Sequence, residues 1–306
     1  MSDDRHPATT PTAAPLRRRV LIIVNPAAGR ARSSRRRLDR VVAALRRCGC
    51  LVTLRQAGPQ AGDVEHLARV AAPDFDVIVA AGGDGTLNAV VNGVAAAPRP
   101  IALMPLGTAN VVAQEIGLPR APERLAARIA GGPARPIWPG KVGQRLFVQM
   151  ASSGFDAEIV AAVNPRLKRR FGRLAVAWGI LLCLWRYRPR RLAVLIDGVE
   201  HRAAAVIAAK GRFYAGPYTI APRASLAEPI LDLVLFQCSG RLAVLRYLGA
   251  LIAGRLPARP DITTVRCREA LVCGPEAAPV QADGEVVAAL PVTIGIADRP
   301  LPLVHP

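Results

Sequence analysis

Phe75-Asp-Val-Ile-Val-Ala-Ala-Gly-Gly-Asp-Gly-Thr-Leu-Asn-Ala-Val-Val-Asn-Gly93 is the stretch on which the fold turns. Val77 to Ala81 is an apolar run rich in β-branched residues, the composition of a strand buried on both faces. Thr86 to Val94 reads as a helix with Leu87, Val90, Val91 and Val94 on one side. Gly82-Gly83-Asp84-Gly85-Thr86 lies between them. Its glycines remove the Cβ atoms that would hold a ligand off the backbone. The peptide N–H groups are then free to converge on an anion at the start of the helix, where the dipole also favours negative charge. Asp84 would repel a bare phosphate, so its presence implies a bridging metal ion or a proton to be abstracted. This is a nucleotide phosphate site with chemistry attached.

Working outward, Val20 to Val24 is a short buried strand followed by a turn at Asn25-Pro26-Ala27-Ala28-Gly29-Arg30. Ser33 or Ser34 is placed to cap a helix running to about Arg47. Leu51 to Leu54 reads as a strand and Asp63 to Ala71 as a helix. Downstream, Ile101 to Leu106, Gly107-Thr108-Ala109-Asn110 and Val111 to Ile116 form a second strand–loop–helix unit. Taken alone, that loop is an ordinary capped helix. Two consecutive βα turns at the carboxyl ends of buried strands, however, face one crevice of a parallel sheet. Residues 17–134 are therefore read as an α/β nucleotide-binding domain, preceded by a polar, disordered lead at 1–16.

Beyond Pro119 the character changes. Leu146 to Ala151, Leu192 to Ile196, Ala203 to Ala208, Leu231 to Phe236, Thr263 to Cys267, Val280 to Ala282 and Val286 to Leu290 are short strand-like runs with turns between them. They predict an antiparallel, β-rich second domain over 135–306, a sandwich or barrel. Helical insertions at Arg166 to Tyr187 and Arg241 to Gly254 interrupt it, and Val292 to Ile296 is free to return to either domain.

The 306 residues are 51% apolar, enough for two cores. The formal charge of +19 is almost all arginine, with lysine only at Lys141, Lys168 and Lys210. Such a balance suits a polyanionic partner, although an Ala/Arg/Gly/Pro-rich genome would produce it as well. Six scattered cysteines without a Cys-x-x-Cys pair give no zinc spacing and point to a reducing cytoplasm. No RRM, zinc-finger or helix-turn-helix signature supports a nucleic-acid partner, and no lysine stands in Walker context. Leu174 to Trp185 is too short for the ~20 residues that span a bilayer. Together with Arg166-Leu-Lys-Arg-Arg-Phe-Gly-Arg173, that run is either a core helix with a solvated basic end or a device for an anionic membrane interface. A homodimer is left open.

Asn25-Pro26-x-x-Gly29, Gly82-Gly83-Asp84-Gly85-Thr86-Leu87-Asn88 and Leu106-Gly107-Thr108-Ala109-Asn110, in that order, resemble the diacylglycerol kinase catalytic domain family, which includes bacterial lipid kinases and sphingosine kinases. Gly211-Arg-Phe-Tyr-Ala-Gly216, Ile220-Ala-Pro222, Leu231-Asp232-Leu233 and Asp283-Gly284-Glu285 extend the likeness to roughly residues 18–300. The resemblance implies three layers in the α/β domain, ATP in a cleft between the two domains, Mg²⁺, and a lipid alcohol at an anionic membrane as phosphate acceptor. Asn25 and Gly29 would line the nucleotide site. Gly82, Gly83, Asp84, Gly85 and Thr86 would hold the triphosphate and its magnesium, and Gly107, Thr108 and Asn110 would form the opposite wall. Asp283 and Glu285 would approach from the second domain, with Asp84 ranked first and Asp283 second as proton acceptor. By its residues alone, Asp283-Gly284-Glu285 is a plain hairpin turn. Val111, Lys210 and Glu228-Pro229 depart from the family pattern. The last replaces an Asp-Gly pair that, with an acid like Asp232, holds a structural metal in some bacterial members. Two other readings compete: an NAD kinase, which shares the Gly-Gly-Asp-Gly-Thr turn, and a non-catalytic nucleotide- or membrane-binding protein.

Overall fold

The computed structural model describes residues 17–26, 32–60, 62–162 and 191–306. The lead at 1–16, Gly29, and the basic-apolar stretch from Arg166 to Tyr187 lie outside them. The first half runs β1 (Arg19–Val24), α1 (Arg32–Arg47), β2 (Leu51–Gln56), α2 (Asp63–Ala71), β3 (Val77–Gly82), α3 (Asp84–Val94), β4 (Ile101–Pro105), α4 (Val111–Glu115), α5 (Pro122–Gly131) and β5 (Ala134–Ile137). The second half continues with β6 (Gly140–Val142), β7 (Arg145–Phe147), β8 (Met150–Ser153), α6 (Phe155–Ala162), β9 (Leu192–Ile196), β10 (Val199–Ala203), β11 (Ala205–Ala209), β12 (Phe213–Tyr214), β13 (Tyr218–Thr219) and β14 (Leu231–Phe236). It closes with α7 (Arg241–Ile252), β15 (Ile262–Cys267), β16 (Glu269–Cys273), β17 (Pro279–Ala282), β18 (Glu285–Ala289), β19 (Val292–Ile296) and β20 (Leu301–Val304).

The first sheet has the order β2-β1-β3-β4-β20-β5. Its first four strands and β20 are parallel, and β5 pairs antiparallel to β20. Alternate residues of β1 enter two cores: Leu21 and Ile23 face α2 and α3, while Val20, Ile22 and Val24 face α1 and α5. That two-sided burial is why the strands read as unbroken apolar runs instead of alternating ones.

The second half is an antiparallel sandwich. One sheet has the order β10-β9-β16-β19-β6-β7 and the other β15-β14-β11-β8-β17-β18. Their inner faces share a core that includes Phe147, Val194, Leu233, Val272 and Ile294. Helix α7 covers the outer face of the second sheet with Tyr247 and Leu251.

Three expectations are corrected in detail, and one left open is decided. Ser33 and Ser34 fall inside the first turn of α1 instead of capping it. The run Leu146 to Ala151 is two strands, because the amides of Val148, Gln149 and Met150 all donate to the Asp283 carboxylate and the ladder breaks there. Val292 to Ile296 stays in the sandwich, paired with β16 and β6, and the segment that returns to the first sheet is Leu301–Val304. Finally, β5 carries the first sheet to Ile137, past residue 134.

Candidate active site

The glycine turns after β3 and β4 lie against each other. Leu106 N–H donates to Gly82 O at 2.8 Å, and a Cβ built on Gly107 would stand 2.6 Å from Gly83 Cα and 2.9 Å from Asn110 Oδ1. No real side chain tolerates that approach, so glycine is required here for backbone against backbone. Gly82 is constrained by the Thr86 hydroxyl, which would lie 2.1 Å from its Cβ. The buried Thr86 Oγ1 in turn accepts from Asn25 Nδ2 at 3.0 Å, tying the turn after β1 to the other two. Asn110 holds its own loop. It sits in the left-handed region (φ 48°), its Oδ1 accepts from Gly107 N–H at 3.0 Å, and its Nδ2 donates to Gly107 O at 2.7 Å. Thr108 and Gly85 are exposed at the rim. A Gly107→Ala variant is therefore expected to lose about 1–3 kcal/mol of stability and most of its nucleotide affinity, checked by thermal unfolding and ATP titration.

Asp84 does what no local reading of a turn aspartate shows. Its Oδ2 accepts from Val111 N–H and its Oδ1 from Val112 N–H, each at 3.0 Å, so it caps α4 from the neighbouring loop. An ionised carboxylate offers about four lone-pair positions. Two are used here, and the half-exposed side chain keeps the rest. The amides of Asp84 and Gly85 open α3 and are the donors a helix start leaves unpaired.

Asp283 is the opposite case. With Gly284 it forms the tight turn between β17 and β18, both at positive φ (47° and 86°). The hairpin reading of this motif is thus the local structure. Yet the carboxylate reaches back across the junction of the two halves. Oδ2 accepts from Asn88 Nδ2 (2.8 Å) and Val148 N–H (2.6 Å), and Oδ1 accepts from Gln149 N–H (2.9 Å) and Met150 N–H (3.0 Å). Burial pushes its carboxyl above the usual carboxylate range, and these four donors pull in the other direction. Every lone-pair position is taken. Asn88 lies one helical turn beyond Asp84, so the Asp283 turn is docked beside the glycine cradle. Glu285 stands exposed at the mouth with Oε2 3.9 Å from Arg145 Nη2.

Arg145, Asn88 and Glu115 were not picked out as site residues by sequence reasoning. Arg145 pairs with Glu65 and lies 3.4 Å from Asn88 Oδ1. Glu115, at the far end of α4, accepts from Arg212 through both its backbone N–H and Nε at 2.8 Å. Asn88 was legible in part, as the last residue of the Gly82–Asn88 motif. Arg212 falls within the Gly211–Gly216 motif, whereas Arg145 sits in an arginine-rich chain without local signal. Among the described residues, no three histidine, cysteine or acidic side chains converge as a metal cage, and no helix is long and apolar enough to cross a membrane.

Glycine turns joined at the carboxyl end of a parallel sheet, with a carboxylate set between them, form the crevice in which α/β proteins of this class bind their ligands. Residues 19–142 match the diacylglycerol kinase catalytic domain, and residues 149–305 match the YegS C-terminal NAD kinase beta sandwich-like domain. The chain is 31% identical over 280 residues to a diacylglycerol kinase of Bacillus subtilis, covering 90% of this chain and 92% of the relative. The chain belongs to the diacylglycerol kinase catalytic domain family, whose members are lipid kinases that phosphorylate an alcohol group. A crystal structure of a diacylglycerol kinase from Bacillus anthracis superimposes with a TM-score of 0.75 at 22% identity, covering 94% of this chain and 97% of the other. A yeast NADH kinase shares the fold at a TM-score of 0.51 and 11% identity, over 95% of this chain and 84% of the other. The fold by itself therefore does not separate the two chemistries.

Proposed function

We propose that the chain transfers the γ-phosphate of ATP to the hydroxyl of a diacylglycerol-like or sphingoid membrane lipid, working in the cytoplasm at the anionic inner face of the membrane. The observation that carries this reading is the Asp84 carboxylate, held by α4 between two glycine turns with lone pairs to spare. The triphosphate is placed against the open amides of Asp84 and Gly85, with Gly82, Gly83 and Thr86 keeping the backbone close. Asn25 lies on one wall and Gly107, Thr108 and Asn110 on the other.

A lone carboxylate without a protein cage fits Mg²⁺, which is bound through one or two carboxylates together with substrate phosphates. Asp84 would hold it, and when bound it neutralises charge on the transferring phosphoryl group. Asp84 is also the acid with access and lone pairs to accept the proton of the incoming hydroxyl. Asp283, saturated by its four donors, positions the second domain, and Glu285 with Arg145 borders the acceptor side. Phosphoryl transfer requires in-line positioning and charge neutralisation more than covalent chemistry.

The kinship with a relative named diacylglycerol kinase over 90% of the chain supports a lipid acceptor above a dinucleotide one. Labelled ATP offered with diacylglycerol micelles or with NAD tests the choice. Label is expected in the organic phase, and label in NAD would reverse the assignment. The membrane side rests on Arg166 to Arg173 and Leu174 to Trp185, where each basic residue near an anionic leaflet is worth about 1 kcal/mol. The chain should float with phosphatidylglycerol vesicles at low salt and not with phosphatidylcholine vesicles.

A further inference from the structure

Lys210 is fully buried (0% exposed) at the end of β11, in a site apart from the phosphate cradle. Its Nζ donates to Ser225 O and Ile230 O, each at 2.9 Å, and to Glu228 O. An ammonium has three N–H donors and no acceptor, and here it meets three carbonyls. Asp232, 2% exposed, lies at the edge of this group. Its Oδ1 accepts from Arg266 Nε at 3.1 Å, and its Oδ2 has no hydrogen-bond partner among the described residues. Arg266 also pairs with Glu228.

Backbone carbonyls converging beside a carboxylate are the donor set of a hard, oxygen-bound cation. A divalent ion does not fit here. The focus of the carbonyls is filled by a covalently attached positive charge, and a second cation beside it would be repelled. This loop also matters to the junction of the two halves. Leu226 packs into the core of the first sheet, and Leu226 O accepts from Trp138 N–H at 2.7 Å. Two residues after Lys210, Arg212 grips Glu115 of α4.

We propose that the Lys210 ammonium is a built-in structural cation: it organises the 225–230 loop as a bound divalent ion would, so this loop holds no structural divalent ion. The inference does not depend on which acceptor is phosphorylated, and it is tested on the full chain without nucleotide. After EDTA treatment and gel filtration, the wild-type protein is expected to contain no stoichiometric divalent ion and to keep the thermal midpoint it had as purified. Lys210→Met leaves the three carbonyls unpaired and should lower the midpoint by roughly 5–10 °C. Lys210→Ala opens the space and should regain part of its loss with propylammonium chloride but not with equal sodium chloride. A tightly held divalent ion whose removal lowers the wild-type midpoint would overturn the proposal. So would an unchanged midpoint in Lys210→Met, or equal response of Lys210→Ala to the two salts. The wild-type arm decides even where neither variant folds.

Discussion

Asp84→Asn is expected to lower phosphoryl transfer by about 10²–10⁴-fold, the contribution of a positioned general base. The structure adds a second, smaller effect. The carboxamide oxygen can accept only one of the two amides that the carboxylate now holds, and its NH₂ faces the other, at Val111 or Val112. The loop-to-loop tie weakens, and about 1–3 kcal/mol of stability should be lost as well. Turnover with Mg·ATP and a thermal melt on the same preparation separate the two. A variant with a shifted midpoint and ordinary turnover would reduce Asp84 to a helix cap and remove the chemical part of the reading.

Asp283→Ala should have its main effect on folding. Three backbone amides and the Asn88 side chain would lose their common acceptor where the β7–β8 connection, the β17–β18 turn and α3 meet. At about 1–3 kcal/mol per stranded buried donor, with water repairing some, the loss should be about 3–5 kcal/mol. For a chain of this size that corresponds to roughly 10 °C in the midpoint. Asn88→Ala removes a single donor from the carboxylate and should cost about 1 kcal/mol. If Asp283→Ala melts like the wild type yet loses turnover, Asp283 belongs among the reacting groups and not with the scaffold.

The strands of the first sheet were legible because burial on both faces leaves an unbroken apolar run, as in Val20–Val24 and Val77–Ala81. Helix α5 buries Leu125, Ala126 and Ile129, but the turn-rich sequence around Gly131-Gly-Pro133 reads as a boundary and masks it. The strand β10, with its exposed Val199 and Glu200, lacks such an apolar run and is not legible as a strand.

Local chemistry along the chain was sufficient to determine the α/β start, the β-rich sequel and the two glycine turns with the acid set in the first of them, because backbone freedom and side-chain type act within a few residues. What each acid does with its lone pairs was decided only in three dimensions. Asp84 spends two on a helix 27 and 28 residues away, and Asp283 spends all four on partners 133 to 195 residues away. Lys210 likewise finds its carbonyls on a loop 15 to 20 residues on. Hydrogen-bond saturation depends on which groups the packed core brings together, and no local spacing encodes that.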